Sequence, residues 1–461
     1  MQELNLCYKF NPIYWQTANL IVDSGAVDEE AGDGTDYGKI AVAIAMAQRE
    51  NVNVDVPLIN SAKFGFTPDI SNNRIIFGFK GINGIGDDIA RTIIQNQPFK
   101  DMNDFEERMV VTKKITNKAM IQLIKGNSFS ELCSLNKKEI MDRFLRKYLF
   151  KPCEKLTLQQ LNSIADLGIV PTELQLCLRM LGFKSYVFDL KNLVEIYIDP
   201  NKKLGKKGYH DRYYTLDDKS QEFFTEYLTE NSVVRVQNGY FVVSENILIK
   251  EINQNIQSLK EWFNDQTALD LYNHALFTKI WNKYANGTEA AWSMQALNYY
   301  DKKHELDGID AAKYGIENFF EMPEEPEVYD FYTRYIGNEK IKMPKYRISR
   351  IAGTVINRDK DHNLVYLLTV YGCVTVKFTK GHFAYYNKRI SVCNPESNKK
   401  TVIENSWFER GSNLIITGVR FEHNFKPMRY SDTIYQHVCN KIEKIHEDGS
   451  LFIKSEREKT D

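Results

Sequence analysis

The sequence lacks the cysteine pairs that would define a disulfide framework or a zinc site. Its seven cysteines are scattered over 461 residues, and none forms a CxxC pair. An odd, unpatterned set of cysteines is typical of proteins kept in a reducing compartment. We therefore expect a cytoplasmic protein with neither disulfides nor a structural metal.

Long apolar runs are also missing. No stretch approaches the roughly 18 apolar residues that span a bilayer, and the N-terminus has no signal-peptide layout. We therefore expect no membrane partner. Net charge indicates nothing about partners, because 60 basic residues face 61 acidic ones; only the local distribution of charge is informative. No P-loop, HExxH or nucleophile–base constellation occurs, which disfavours an unrelated enzyme.

The composition that remains is that of a globular chain with real cores. Hydrophobic residues make up 43% and aromatic residues 12% of the sequence, and the length favours two to four domains. Helical periodicity covers 11–24, 38–50 and most of 104–190, while Asn238-Gly239 between β-branched runs predicts a hairpin. After the proline-rich, acidic linker at 322–327, the periodicity changes to two, which predicts a small all-β domain.

One motif carries most of the functional information. The segment INGIGDDIARTI (82–93) has the glycine spacing of a helix-hairpin-helix, in which a tight turn presents the free N–H groups of a helix start to a phosphate. An ordinary strand–turn–helix is the alternative, and Asp87 and Asp88 would repel a phosphate that they faced. The candidate DNA-binding residues here are Lys80, Asn83, Gly84, Ile85, Gly86 and Arg91.

A second, degenerate unit follows. DFEERM (104–109) and KKITNKAMIQLIKGNSF (113–129) repeat the helix–turn–helix pattern with a basic turn. Lys113, Lys114 and Lys118 are the candidates for phosphate contacts there, although each lysine alone is better explained as part of a solvated helix face. Two units in tandem favour a grip on the DNA backbone that does not read sequence.

The β-rich C-terminal part is interpreted as an OB-like barrel. Such barrels bind single strands through cationic side chains on the backbone and aromatic rings under the bases. The candidates are Tyr366, Lys377, Lys380, Phe383 and Arg410, although core packing is the commoner role of any single aromatic residue. The whole pattern predicts a multidomain α+β fold: a mainly helical N-terminal part with a helix-hairpin-helix, a mixed middle region, and this barrel.

The order of these segments resembles the C-terminal half of C-family replicative DNA polymerases, the bacterial DNA polymerase III alpha subunits and their phage relatives. YKFNPIYWQTANLIV (8–22) resembles the late fingers helix, and 57–94 resembles the run that enters the tandem helix-hairpin-helix, with Leu58 where the family commonly has Asp. MQALNYYDKKHEL (294–306) resembles the segment before the OB domain. The resemblance implies four regions: fingers remnant 1–60, tandem helix-hairpin-helix 61–135, mixed and mostly helical 136–321, and OB-like 345–453.

The resemblance also implies that the catalytic palm motif of the family is not among the segments of this chain. The family's palm motif, an Asp-x-Asp whose carboxylates hold Mg²⁺, lies upstream of every matched segment, and Asp359-Lys360-Asp361 is expected in a solvated turn. We therefore expect no catalytic residue and no cofactor in this chain. A separately encoded palm-bearing chain would hold Mg²⁺. Together with that chain, this chain would replicate DNA in a bacterial cell or phage-infected host.

The partners implied by the resemblance are primer-template DNA, single-stranded template, the palm-bearing chain and a sliding clamp. Peptides starting at Gln175 and Gln257 are weak candidates for a clamp contact. The fingers remnant, including Ile13, Trp15, Leu20 and Ile21, is expected to form an exposed intersubunit surface. The alternative is a stand-alone, non-catalytic DNA-binding protein derived from a polymerase.

Overall fold

The computed structural model describes residues 9, 11–28, 34–157, 160–189, 192–198, 210–337, 339–393 and 400–458. The chain divides into two compact units. The first unit contains the described residues of Met1–Asp142 and Ala285–Asp461, and the second unit is Arg143–Tyr284. The fold is α+β, with a largely helical N-terminal part and a C-terminal barrel, as the sequence predicts.

Local capping explains where the first helices begin and end. Asn11 caps α1 (Pro12–Ser24) by accepting a hydrogen bond from the backbone N–H of Ile13, Pro12 occupies the first turn, and Gly25 ends the helix at φ 70°. Asp36 caps α2 in the same way. The described helices and short strands of this part of the first unit follow: α1, α2 (Tyr37–Arg49), β1 (Asn53–Asp55), β2 (Thr67–Asp69), β3 (Arg74–Ile76), α3 (Asp87–Asn96), α4 (Met102–Phe105, continued by a π-helical turn, Glu106–Val111), α5 (Asn117–Lys125) and α6 (Lys137–Phe144).

The second unit has its own hydrophobic core. Its four-stranded sheet has the order β4 (Leu193–Ile198), β5 (His210–Thr215), β7 (Tyr240–Ser244), β6 (Val233–Gln237). Asn238 and Gly239 take the positive φ angles, 52° and 86°, of a two-residue hairpin turn. The predicted hairpin is therefore confirmed. The described elements of this unit follow: α7 (Leu161–Asp166), α8 (Gln175–Val187), β4 (Leu193–Ile198), β5 (His210–Thr215), α9 (Asp218–Tyr227), β6 (Val233–Gln237), β7 (Tyr240–Ser244), α10 (Glu245–Asn255), α11 (Gln257–Phe263) and α12 (Gln266–Tyr284).

The C-terminal strands close into a five-stranded barrel. Their order in the sheet is β10 (Ser349–Asp359), β11 (Leu364–Thr369), β12 (Gly372–Lys377), β16 (Asn424–Pro427), β15 (Asn413–Phe421). Strand β15 pairs back onto β10, and β12 and β16 are parallel. This closed Greek-key arrangement, with a helix between the third and fourth barrel strands, is that of an OB fold. The remaining described elements follow: α13 (Glu289–Leu297), β8 (Val328–Ile336), β9 (Glu339–Tyr346), β10 (Ser349–Asp359), β11 (Leu364–Thr369), β12 (Gly372–Lys377), α14 (Lys380–Asn387), β13 (Ile390–Cys393), β14 (Lys400–Glu404), β15 (Asn413–Phe421), β16 (Asn424–Pro427), β17 (Cys439–Ile445) and β18 (Leu451–Lys454).

Helix α2 packs on the outside of the barrel. Ala41 and Ala45 of the helix share a core cluster with Ile356 of β10 and Leu368 of β11. The neighbouring α1 buries Ile13 and Leu20, which are 1% and 0% exposed. The expectation that both of these residues form an exposed intersubunit surface is therefore wrong, because the chain covers them itself.

No helix in the described ranges is both long enough and apolar enough to cross a membrane.

Candidate nucleic-acid interface

The first hairpin turn has the backbone that its glycines predict. Gly84 adopts φ 83°, a left-handed conformation that favours glycine, while Ile85 anchors the turn with 3% exposure. Gly86 is the N-cap of α3 and supplies no side-chain hydrogen bond. Because both glycines are exposed, the first N–H groups of α3 face solvent without a capping side chain.

The acidic residues at the start of α3 differ in their surroundings. Lys80 is buried and forms an ion pair with Asp87, so one of the two carboxylates is neutralised inside the chain. Asp88 is exposed. The Lys80 ammonium therefore compensates the charge of Asp87 within the hairpin, and it does not project toward a ligand.

The second hairpin lies beside the first. A Cβ placed on Gly84 would lie 3.6 Å from Gln122 Cγ and 3.9 Å from Lys118 Cε of α5. Thr116 caps α5 by accepting a hydrogen bond from the N–H of Ala119. The structure thus brings the exposed Lys118 next to the exposed start of α3. The free N–H groups of that helix start and Lys118 are called here the hairpin surface.

The other candidates of this region point elsewhere. Lys114 donates to Asn96 Oδ1 at 2.8 Å, at the opposite end of α3. Arg91 lies over the ring of Phe64, 5.5 Å from its centroid, and Asn83 donates to the backbone oxygen of Gln295 at 3.1 Å. Lys113 is exposed and takes a positive φ of 58° in the second turn. Only some of the candidate residues therefore lie together at the hairpin surface.

The barrel candidates do not form one surface. Phe383 is 4% exposed in the barrel core, so it cannot stack on a base. Arg410 donates to Asn298 Oδ1 at 2.6 Å and lies over the ring of Tyr37. Lys377 and Lys380 are exposed at the end of β12 and the start of α14, where they remain accessible to a ligand.

Tyr366 lies in a cleft instead of on an open sheet. The cleft, about 760 Å³ in volume, lies between the barrel and helices α1 and α2, and its walls include Trp15, Lys39, Arg49 and Asn357. The outward face of the second and third barrel strands is the usual ligand face of this fold. Because α2 packs on it here, access to Tyr366 is restricted to the cleft.

Among the described residues, the carboxylates of the barrel do not assemble a metal site. Asp359 ends β10, and its Oδ1 accepts hydrogen bonds from the backbone N–H groups of Asp361 and His362, which confirms the predicted turn. Among the residues that the structure describes, no group of three or more His, Cys, Asp or Glu side chains is placed to hold a metal ion. The described residues therefore do not fit the Mg²⁺ ions of a polymerase palm.

The peptides considered for a clamp contact are part of the second unit's core. Cys177 of α8, and Leu259 and Phe263 of α11, are at most 7% exposed and belong to one buried cluster. Their apolar side chains are therefore occupied by the chain's own packing.

Comparison with known proteins agrees with this reading of the hairpins. A family model described as a helix-hairpin-helix motif matches residues 51–140, which include α3 and α5. A probable DNA polymerase, YorL, of Bacillus subtilis (strain 168) is 40% identical over 465 residues, covering 99% of this chain and 34% of the relative. A DNA-directed DNA polymerase of Bacillus phage SPbeta gives the same values. DNA polymerase III subunit alpha of Aquifex aeolicus (strain VF5) is 26% identical over 232 residues, covering 45% of this chain and 19% of the relative.

This chain is similar to DNA polymerases over nearly its whole length, and to a DNA polymerase III alpha subunit over 45% of it. It resembles the C-terminal part of such polymerases, and it spans about a third of the length of the first two relatives. The similarity extends over nearly the whole chain, so it includes the second unit.

Proposed function

We propose that this chain is the DNA-binding portion of a replicative C-family DNA polymerase, and that it acts with a separately encoded palm-bearing chain in the cytoplasm. The palm chain would hold Mg²⁺ and carry out templated addition of deoxynucleotides. The single observation that carries the proposal is the similarity to DNA polymerases over 99% of the chain. The exposed, uncapped start of α3 at the hairpin surface supports it.

The geometry supports backbone contacts more strongly than base contacts. Free N–H groups at a helix start, next to the exposed Lys118, suit a phosphate oxygen and carry no sequence information. A polymerase must hold every sequence equally well, so this chemistry fits the proposed role. A sliding clamp is a further proposed partner, without a docking residue assigned to it.

The first test is Mg²⁺-dependent primer extension by the purified chain, alone and mixed with the palm-bearing polypeptide. We expect extension only in the mixture. Extension by this chain alone would place catalytic carboxylates within it and overturn the division of labour. DNA binding without extension in either case would favour the alternative, a stand-alone DNA-binding protein.

The second test separates DNA binding from folding at one residue. Gly86→Asp supplies the N-cap that α3 lacks, and no heavy atom lies within 4 Å of a Cβ there, so the helix should be as stable or more stable by a few tenths of a kcal/mol. The same carboxylate would occupy the N–H groups and repel phosphate. We therefore expect weaker binding of primer-template DNA, by roughly fivefold or more, measured by fluorescence anisotropy.

Gly34→Asp is the matched control, because it adds the same charge at another glycine with no heavy atom within 4 Å. It should leave DNA binding unchanged. Equal affinities for Gly86→Asp and the unmodified chain would remove α3 from the interface.

A further inference from the structure

A two-stranded antiparallel hairpin precedes the barrel. It consists of β8 and β9 and is called here the arm. Residues that pair directly share a face, and one face carries the pairs Phe331–Pro344, Thr333–Lys342 and Tyr335–Lys340. On this face the rings of Phe331 and Tyr335 are in solvent, 51% and 68% exposed. Two large exposed rings on one short ribbon indicate a binding surface.

The same face is cationic. Lys340 and Lys342 are exposed, and Lys342 Nζ lies 4.7 Å from the centroid of the Phe331 ring. Asp330 and Glu339, the carboxylates of the described arm, pair with Lys345 and Ile336 in the alternate register. Strand alternation therefore places them on the opposite face, and the aromatic face of the described arm carries positive charge only.

The base of the arm is fixed to the barrel. Lys345 forms an ion pair with Asp432 at 2.8 Å, and the rings of Tyr332 and Tyr430 lie 6.0 Å apart. Tyr346 packs edge-on against Phe421, with ring centroids 5.3 Å apart. Phe421 ends β15, so the arm starts beside the β15–β16 turn, which in OB folds is one of the loops that contact oligonucleotides.

We propose that the aromatic face of the arm binds single-stranded DNA. Bases stack on Phe331 and Tyr335, and the phosphates lie near Lys340 and Lys342. Rings interleaved with cations suit a polyanion whose units each present a π face, whatever their sequence. An apolar protein partner would leave both ammonium groups without a counter-charge. The inference rests on the proposed function, to which it adds a second contact, separate from the hairpin surface.

The test uses the full chain and two fluorescent DNA probes, a single-stranded 20-mer and the same sequence as a duplex. Loss of a stacked base costs roughly 5- to 100-fold in affinity. We expect Phe331→Ala/Tyr335→Ala to weaken binding of the single strand by at least fivefold and to leave duplex binding within twofold. Tyr197→Ala, which removes a ring that is 55% exposed in the second unit, is the control and should change neither affinity.

The lysines are tested by salt dependence. Each phosphate contact on a single strand contributes about 0.7 to the slope of log K against log salt. Lys340→Gln/Lys342→Gln should therefore lower the slope by about 1.4, whereas the control Lys250→Gln/Lys279→Gln, at two exposed lysines of the second unit, should not. Phe331→Trp gives a further readout. Because the unmodified chain already has five tryptophans, fluorescence quenching by the single strand is compared between the two proteins, and stacking on residue 331 predicts additional quenching in the variant.

The outcomes separate this inference from the proposed function. If the unmodified chain binds duplex but the arm variants bind the single strand like the unmodified chain, the arm inference is wrong and the proposed function stands. If the double alanine variant instead changes the oligomeric state measured by light scattering, and single-strand affinity is intact, the arm binds another copy of the chain. If the unmodified chain binds no DNA, both proposals fail.

Discussion

Single buried polar residues join distant parts of the first unit. Lys137 and Asp301 are both buried, their ion pair is 3.2 Å long, and the lysine also donates to Ser293 Oγ at 2.5 Å. Removing one partner of such a pair leaves an uncompensated buried charge. The start of α6 is thus tied to the segment that follows α13 by one lysine.

The first prediction concerns that pair. Lys137→Met keeps the volume of the side chain but leaves the buried Asp301 carboxylate without its counter-charge. The free energy of unfolding should therefore fall by about 3–5 kcal/mol. Adding Asp301→Asn should recover part of the loss, because the neutral amide is cheaper to bury. Urea titration followed by circular dichroism measures both changes. A loss below about 1 kcal/mol for Lys137→Met would show that the carboxylate finds water or another partner.

His304 predicts a pH dependence of stability. Its Nδ1 accepts a hydrogen bond from the N–H of Leu306 and its Nε2 lies 2.9 Å from the carbonyl oxygen of Leu368, so the ring is neutral with its proton on Nε2. Burial lowers the pKa of His304 to about 4, against the opposing hydrogen bond to Leu368. The unfolded chain, with a pKa near 6.5, therefore binds more protons between pH 6.5 and 4.

The folded state should consequently lose up to about 3 kcal/mol at this residue as the pH falls from 7 to 4. His304→Gln cannot titrate, and it should flatten the dependence in this window even if its stability at pH 7 is lower. Unfolding free energies at several pH values for both proteins provide the measurement. Parallel curves for the two proteins would assign the acid sensitivity to other groups.

At the scale of elements, the stability of the barrel depends on close contacts between the backbones of neighbouring strands. A Cβ on Gly353 of β10 would lie 2.5 Å from the carbonyl oxygen of Leu368 on β11, whereas a Cβ on Gly381 of α14 meets no heavy atom within 4 Å. Gly353→Ala should therefore destabilise the chain by at least about 2 kcal/mol. Gly381→Ala should be neutral or stabilising by up to about 1 kcal/mol. Thermal unfolding compares them, and equal melting temperatures would contradict the close strand approach.

The sequence predicts elements well where a strong local signal exists. The Asn238-Gly239 turn, the capped helices α1 and α2 and the alternating barrel strands are confirmed. The arm was missed because 322–327 reads as a linker, although Gly337-Asn338 between two β-rich runs is a hairpin signal. A local pattern also cannot show whether an aromatic residue is covered. Phe383 and Phe331 are similar in sequence context, yet one is core and the other is in solvent.

For the candidate site, the sequence predicts which residues have the chemistry to bind DNA, but it does not predict which of them lie close together in the fold. The glycine spacing indicates the exposed start of α3, but the proximity of Lys118 to that start depends on how two helices pack. The burial of Lys80 against Asp87 is equally tertiary. The packing of α2 on the barrel, which restricts Tyr366 to a cleft, joins segments more than 300 residues apart and leaves no local trace.

At the scale of the whole molecule, the proposed DNA contacts all lie in one of the two units. The hairpin surface, the barrel and the arm all belong to the first unit. Among the residues that the structure describes, Arg143–Tyr284 has its own core cluster of 19 buried residues. A self-contained core of this size predicts that residues 143–284 fold when expressed alone. The fragment should unfold cooperatively on heating and should bind neither duplex nor single-stranded DNA at concentrations that saturate the full chain. A folded fragment that binds DNA as tightly as the full chain would move the interface to the second unit, whereas an unfolded fragment would show that its core needs the rest of the chain.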